Sequence, residues 1–300
     1  MIHGVINVYK EKGYTSHDVV AKLRGIVGQK KIGHTGTLDP DATGVLPVCF
    51  GKATKLCDML TNKDKVYETV LLLGKTTDTQ DISGTILDEK DCAGLTEQAV
   101  MDCIQGYIGP YDQLPPMYSA LKVNGKKLYE LAREGKEVER KTRRIEIYDI
   151  QILEMKLPRV RMVVSCSKGT YIRTLLHDIG GSLGVGGCME ELERTKVSCF
   201  TLRDSETLAQ IEERKQNGTL DEILIPVDAM FDEYEKVFLN ERGTFLACNG
   251  NLFSQNEIEG AGVYQVGEYV RVYDDKQRFV AVYQYEGGQI FRIVKMFLAE

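Results

Sequence analysis

Hydrophobic and polar positions alternate, then shift to helical spacing, several times along the chain, and the alternation predicts its elements. Residues 4–9 and 66–73 carry the β-formers and near period-two pattern of strands, and Val160, Met162, Val164 and Cys166 alternate cleanly. Ile145 and Ile147, then Tyr148, Ile150 and Ile152, alternate with a slip of one residue, which predicts a bulged strand. Val19, Val20, Leu23, Ile26 and Val27 recur at helical spacing, with Ser16 placed to cap. Residues 53–60 predict a helix. Another runs from a Thr96 cap to about Gln105 with Ala99, Val100, Cys103 and Ile104 inward, and a short one carries Leu128, Leu131 and Ala132 with Gly135 at its end. Ile172, Leu175, Leu176, Ile179 and Leu183 mark one face of a further helix; Arg173 lies off that stripe, where a solvated side chain is the plain expectation. Residues 110–118, with Pro115-Pro116, read as a loop, and residues 205–218 as a capped helix. From about Val237 the texture changes to short strands at 269–273, 279–285 and 289–297 joined by Gly- and Asn-rich turns, the pattern of a small barrel-like module.

Against this regular background, residues 31–47 stand apart. Three glycines, two prolines, three threonines, one histidine and two carboxylates crowd into Lys31-Ile32-Gly33-His34-Thr35-Gly36-Thr37-Leu38-Asp39-Pro40-Asp41-Ala42-Thr43-Gly44-Val45-Leu46-Pro47. Glycine permits left-handed backbone and proline fixes φ, so the stretch predicts a shaped loop of the kind that carries chemistry. Pro40 biases Asp39 toward extended backbone and so aims its carboxylate. A turn initiator is the ordinary role for Asp before Pro, and a core aromatic is the ordinary role for Tyr67 in its strand.

Composition narrows the classes. The chain has 300 residues, 43% of them hydrophobic, enough for one large domain or two unequal ones. No apolar run approaches the ~20 residues of a membrane span, and the N-terminus lacks a secretory h-region, so a cytoplasmic location is expected. Eight dispersed cysteines without C-x-x-C, and four scattered histidines, predict reduced thiols and neither metal nor cofactor. The net charge of −6 conceals a division: residues 1–75 hold 11 basic and 7 acidic residues and residues 117–175 hold 14 and 7, whereas residues 176–235 hold 5 and 14. The basic excess travels with the Asp39 loop and with the run from Lys136 to Arg144, and aromatics are interleaved with Lys and Arg over residues 116–135, as a polyanion-binding face requires.

Gly33-His34-Thr35-Gly36-Thr37-Leu38-Asp39-Pro40 with Ala42-Thr43-Gly44-Val45-Leu46-Pro47 resembles the catalytic loop of TruB-type tRNA pseudouridine synthases. Lys65-Val66-Tyr67, the segment from Gly74 to Asp81, Ser167-Lys168-Gly169-Thr170-Tyr171-Ile172-Arg173, and the Lys10, Gly13, Thr15-Ser16 run extend the resemblance. It implies an α+β pseudouridine synthase fold with a mixed, mostly antiparallel sheet flanked by helices over residues 1–232. An RNA-gripping insertion around 117–145 and a degenerate PUA-like β module over 236–300 would complete it. It further implies Asp39 as nucleophile, Arg173 as its partner, Tyr67 stacked on the target base and His34 opening the RNA loop. Tyr171, Leu192 and Lys10 are expected at the substrate.

The implied reaction converts uridine to pseudouridine at position 55 in the T loop of tRNA, without cofactor, in a monomer needing no obligate protein partner. Two departures appear: Glu11 stands where proline is usual, and Glu193 replaces the first arginine of a Leu-Arg-Arg helix, removing a charge from the expected RNA face. The residues leave two rival readings, a non-catalytic tRNA-binding or folding protein and a glycoside hydrolase using Asp39 and Asp41.

Overall fold

The computed structural model describes residues 1–298 except 124, so the last two positions of the expected 236–300 module lie outside the described residues. Its frame is a nine-stranded sheet. The strands are β1 (Gly4–Lys10), β2 (Ile32–His34), β3 (Thr43–Phe50), β4 (Lys65–Leu73), β5 (Gly109–Gln113), β6 (Arg143–Lys156), β7 (Arg159–Cys166), β8 (Gly187–Val197) and β9 (Phe200–Thr201). They run in the order β1-β3-β8-β4-β7-β6-β5, with β2 beside β3 and β9 beside β8. Every pairing is antiparallel except β3 with β8, where Thr43 faces Glu193 and Gly44 faces Arg194. The expected mixed, mostly antiparallel sheet is thus present, and its single parallel seam lies directly beside the Asp39 loop.

Helices cover the sheet where their apolar stripes demand. The Glu97–Gln105 helix buries Val100 and Ile104, and the Ile172–Ser182 helix buries Leu175, Leu176 and Ile179, against Ile147, Met162 and Val164 of the strands. The Ser16–Val27 and Leu208–Asn217 helices enclose a second core with Ile6, Leu46 and Val48. The expected slip in β6 is a bulge between Ile147 and Asp149.

Several local expectations are corrected. Thr15, not Ser16, caps the first helix, in a capping box with Asp18; Ser16 is buried and its hydroxyl serves the Asp39 loop instead. The first half of residues 53–60 belongs to a 3₁₀ turn, Gly51–Leu56, and the second half to the short α-helix Cys57–Thr61; Ala99 is exposed. Residues 109–113 form a strand, tolerated with Pro110 because β5 is the sheet's edge. Residues 31–47 are a loop only from 35 to 42, their ends being the strands β2 and β3. The Met189–Val197 segment, expected to be a helix, is an interior strand of the sheet: Met, Leu, Glu and Arg favour helix, but partners on both sides override that weak preference.

The C-terminal strands β10 (Glu235–Phe238), β11 (Phe253–Ser254), β12 (Tyr269–Tyr273), β13 (Phe279–Gly287) and β14 (Ile290–Met296) form a curled half-barrel in the order β10-β12-β13-β14-β11. It has its own core of Val237, Phe253, Val272, Tyr283 and Phe291. Val282 and Phe297 meanwhile join Val5, Val45 and Phe231 of the large sheet's side in one cluster. Arg271 ties the two parts by donating to the Tyr234 carbonyl at 2.9 Å and to Asp232 at 2.5 Å.

Candidate active site

The Asp39 loop is held at four points, three of them by residues placed elsewhere. The Thr35 amide donates to the Pro47 carbonyl at 3.2 Å, closing its base. The Leu38 amide donates to Ser16 Oγ at 2.8 Å. Pro40, having no N–H, offers its carbonyl to the Gly13 amide at 2.9 Å and to Lys10 Nζ at 3.1 Å. The Ala42 amide closes a turn on the Asp39 carbonyl at 3.1 Å, while Leu38 and Ala42 sink into the core. The Asp39 carboxylate is left facing outward, 38% of its side chain accessible at the mouth of the site.

That carboxylate meets the guanidinium of Arg173, which the sequence pattern alone would have put in solvent and which is buried. Arg173 stands in the first turn of its helix, whose Tyr171 cap is fixed by Gln113: the Tyr171 amide donates to Gln113 Oε1 at 2.8 Å, and Gln113 Nε2 returns a bond to the Tyr171 carbonyl at 3.0 Å. Nε and Nη2 of Arg173 approach the two Asp39 oxygens at 3.1 and 3.3 Å, the bidentate geometry for which a guanidinium is suited. Its remaining hydrogens reach Asp81 Oδ2 at 3.2 Å and the carbonyls of Thr79 and Tyr118 at 3.0 and 2.9 Å. Tyr118 belongs to the 117–145 segment, so that insertion touches the centre of the site.

Asp81 went unnoticed in the sequence. Its loop is pinned to β8 through the Ile82 amide on the Met189 carbonyl, at 2.8 Å, and to the Arg173 helix through Thr174 Oγ1 on Gln80 Oε1, at 2.7 Å. The only hint was the polar run Thr76-Thr77-Asp78-Thr79-Gln80-Asp81, which does not say which carboxylate turns inward. Asp41, the partner a glycosidase would need, is exposed.

Burial pushes the Asp39 carboxyl above its ordinary value; Asp81 and Asp41 act the same way, while Arg173 and Lys10 oppose them. Burial likewise pulls Lys10 down to about 8. Tyr67 lies opposite Arg194 in the sheet register, buried, its hydroxyl beside that guanidinium; burial lifts the phenol to about 12, and the fields of Arg194 and Asp39 both reach it. Tyr171 is half-buried near Asp39 and Arg173, its phenol also raised by burial. Burial, with the nearby Arg194 charge, holds His34 below the usual imidazole range, so it is neutral at pH 7. Leu192, two residues before Arg194 and on the same face of β8, is partly buried against the core cluster that includes Leu38 and Tyr67.

Asp39, Arg173, Tyr67, Tyr171 and Lys10 therefore converge, with His34 and Leu192 at the margin. Arg194 was expected near the RNA face; it is instead wholly buried beneath the loop. Glu193 accepts hydrogen bonds from the Tyr9 hydroxyl at 2.8 Å and the Thr43 hydroxyl at 3.2 Å.

The whole chain superposes on solved structures of one class. It matches a chain of the Cbf5-Nop10-Gar1 complex with a TM-score of 0.73 and 28% identity, over 99% of this chain and 85% of that one. A chain of an H/ACA RNP bound to a substrate RNA containing 2′-deoxyuridine gives 0.72 and 26%, over 99% and 86%. The architecture is the pseudouridine synthase fold.

Residues 24–172 match the TruB family pseudouridylate synthase N-terminal domain and residues 173–232 the tRNA pseudouridylate synthase B C-terminal domain. A tRNA pseudouridine synthase B of Lachnoclostridium phytofermentans is 52% identical over 99% of this chain and 100% of its own, and one of Clostridium tetani 43% identical over 98% and 99%. The chain belongs to the TruB family and is a pseudouridine synthase.

Proposed function

We propose that this enzyme converts uridine to pseudouridine at position 55 in the T loop of tRNA, with Asp39 as nucleophile. The observation that carries the reading is the Asp39 carboxylate held two-pronged by a buried Arg173 and open on its other side. The names of the relatives, tRNA pseudouridine synthase B, support tRNA as substrate.

The target base must leave its stack, at a cost of a few kcal/mol, before a side chain can reach it. Stacking on one aromatic ring supplies about 1 to 3 kcal/mol, the role assigned to Tyr67, while the neutral His34 ring fills the vacated place in the RNA. Arg173 keeps Asp39 ionised against the cost of burial, so that the carboxylate attacks the uracil ring or the ribose carbon. The N1–C1′ bond breaks, the base turns, C5 bonds to C1′, and the C5 proton is lost as N1 gains one. Atoms and electrons balance within the substrate, so the reaction draws on no cofactor.

Residues 1–232 then serve as the catalytic domain, the basic 117–145 insertion as an RNA grip, and the half-barrel from 236 as a PUA-like RNA-binding module. The enzyme acts as a cytoplasmic monomer; among the described residues no helix is long and apolar enough to cross a membrane.

The test incubates wild type and Asp39→Asn with an unmodified tRNA transcript and maps pseudouridine by its carbodiimide adduct. One modified T-loop position, lost in the variant while tRNA binding persists, is the expected result. Asp39→Asn should melt no lower than wild type, because it removes a carboxylate whose ionisation burial disfavours. Wild-type protein that binds tRNA but makes no pseudouridine would instead make the chain an RNA-folding protein on this scaffold.

A further inference from the structure

Arg194 is a buried cation without a carboxylate. Only 1% of its surface is accessible, and none of the ion pairs among the described residues includes it. A guanidinium taken out of water in this way is costly and persists only where its donors are put to use. Here they reach both feet of the Asp39 loop: Nε donates to the Val45 carbonyl at 2.8 Å, just past the loop's end, and Nη2 to the Gly36 carbonyl at 3.4 Å, near its start. The same guanidinium stands beside the Tyr67 hydroxyl, from the strand directly opposite.

The backbone reinforces the arrangement. Gly44 pairs with Arg194 in the parallel seam so closely that a Cβ there would lie 2.3 Å from the Arg194 carbonyl, and Gly44 has φ +103°. Gly36, at φ +130°, would place a Cβ 3.6 Å from Nη1. One side chain thus contacts three parts of the site that the chain supplies separately: the loop before Asp39, the loop after it, and the ring of Tyr67.

We propose that Arg194 is a positioning residue, which sets the Asp39 loop and the Tyr67 ring against one another as a single unit. This rests on Asp39 and Tyr67 acting as described above. A lysine would keep the charge but offer one ammonium point in place of a planar fork, so it cannot span the Val45 and Gly36 carbonyls and the phenol together. The loss therefore falls on alignment in the reacting complex, and tRNA, held over a wide surface, still binds.

The experiment compares wild type, Arg194→Lys, Gly36→Ala and Asp39→Asn. It measures single-turnover release of tritium from C5-labelled uridine in a tRNA transcript, transcript binding, and melting temperature. The Tyr67 signal in the spectrum of protein carrying 13Cζ-tyrosine, assigned by its loss in Tyr67→Phe, reports the phenol's surroundings. Arg194→Lys is expected to lower the single-turnover rate by about 100-fold, the order of cost of a small misplacement. Binding should stay within about threefold and the Tyr67 signal should move. Gly36→Ala, which strains the left-handed backbone at the loop end of the contact, should lower the rate and shift the same signal while melting somewhat below wild type; it serves also if Arg194→Lys does not fold.

A rate within about threefold of wild type in folded Arg194→Lys, or an unmoved Tyr67 signal in both variants, overturns the proposal. A rate loss matched by an equal loss of binding does so as well. Full activity in Asp39→Asn would instead overturn the catalytic reading on which the proposal rests.

Discussion

Lys10 shows how a single residue is held at a cost to the fold for the sake of the loop it serves. It is wholly buried, and its donors go to the carbonyls of Glu11 and Pro40, both at 3.1 Å. Its folded-state value of about 8 lies below the 10.5 of a free lysine, burial being the main cause. The unfolded chain therefore binds this proton more tightly. The penalty is fully present below about pH 8 and is relieved as pH rises from about 8 toward 10.5. Lys10→Met removes a burial cost of up to about 3 kcal/mol and forfeits hydrogen bonds worth about 1 kcal/mol each. Urea unfolding at pH 7 should find the variant as stable as wild type or up to about 1 kcal/mol more stable, with the difference shrinking at pH 9.5. Its pseudouridine formation should fall, because the Pro40 carbonyl loses an anchor. A variant clearly less stable at pH 7 would contradict this account.

At the same scale, Asp39 was legible from its own neighbours, while its pairing with Arg173 was expected only through the family resemblance. The glycine and proline frame of residues 33–47 marks Asp39 locally, whereas Arg173 reads as a surface arginine until the fold closes over it. Asp81 was given no role and Arg194 was left at the RNA face: their places rest on contacts with chain 92 and 158 residues away, which leave no local periodicity.

Elements carry the loop as much as residues do. The Ser16–Val27 helix starts one residue after its Thr15 cap, and this places Ser16 inward, where its hydroxyl takes the Leu38 amide. The capping bond is made by Thr15, so Ser16→Ala should leave the helix intact. The Leu38 amide would lose its partner, costing about 1 to 2 kcal/mol by denaturant unfolding and loosening the turn that carries Asp39. Hydrogen exchange at the Leu38 amide should rise in the variant, and tritium release should slow; unchanged exchange would mean the loop is held without Ser16. The interior strand β8 teaches the converse. Its residues favour a helix, and they form a strand because β3 and β4 offer ladders on both edges.

On the scale of the whole molecule, the C-terminal half-barrel is joined to the synthase body by a continuous apolar cluster, not by a linker alone. Val282, Phe279 and Phe297 cover Val5, Val45, Cys49 and Phe231, and Val45 is also the residue whose carbonyl Arg194 holds. A chain ending at Asp232 would expose this surface. It should be less soluble and melt well below the full chain, and calorimetry of the full chain should show one transition, not two. Two well-separated transitions, with the shorter chain as stable as the whole, would show the parts to be energetically independent.

Local chemistry in the sequence determined a great deal by itself. Alternation with β-branched residues marked seven of the strands, the change of texture near Val237 marked the half-barrel, and the loop around Asp39 carried the resemblance to the TruB family. Those signals survive because they depend on neighbours a few residues apart. Only the tertiary structure decided that the Met189–Val197 segment is an interior strand, that Ser16 turns inward to the Leu38 amide, and that Arg173 serves two carboxylates. Only it placed Arg194 under the loop. Each depends on burial and on partners distant in the chain: water is removed from one side chain and a donor is supplied to another, and neither event is written in the residues on either side.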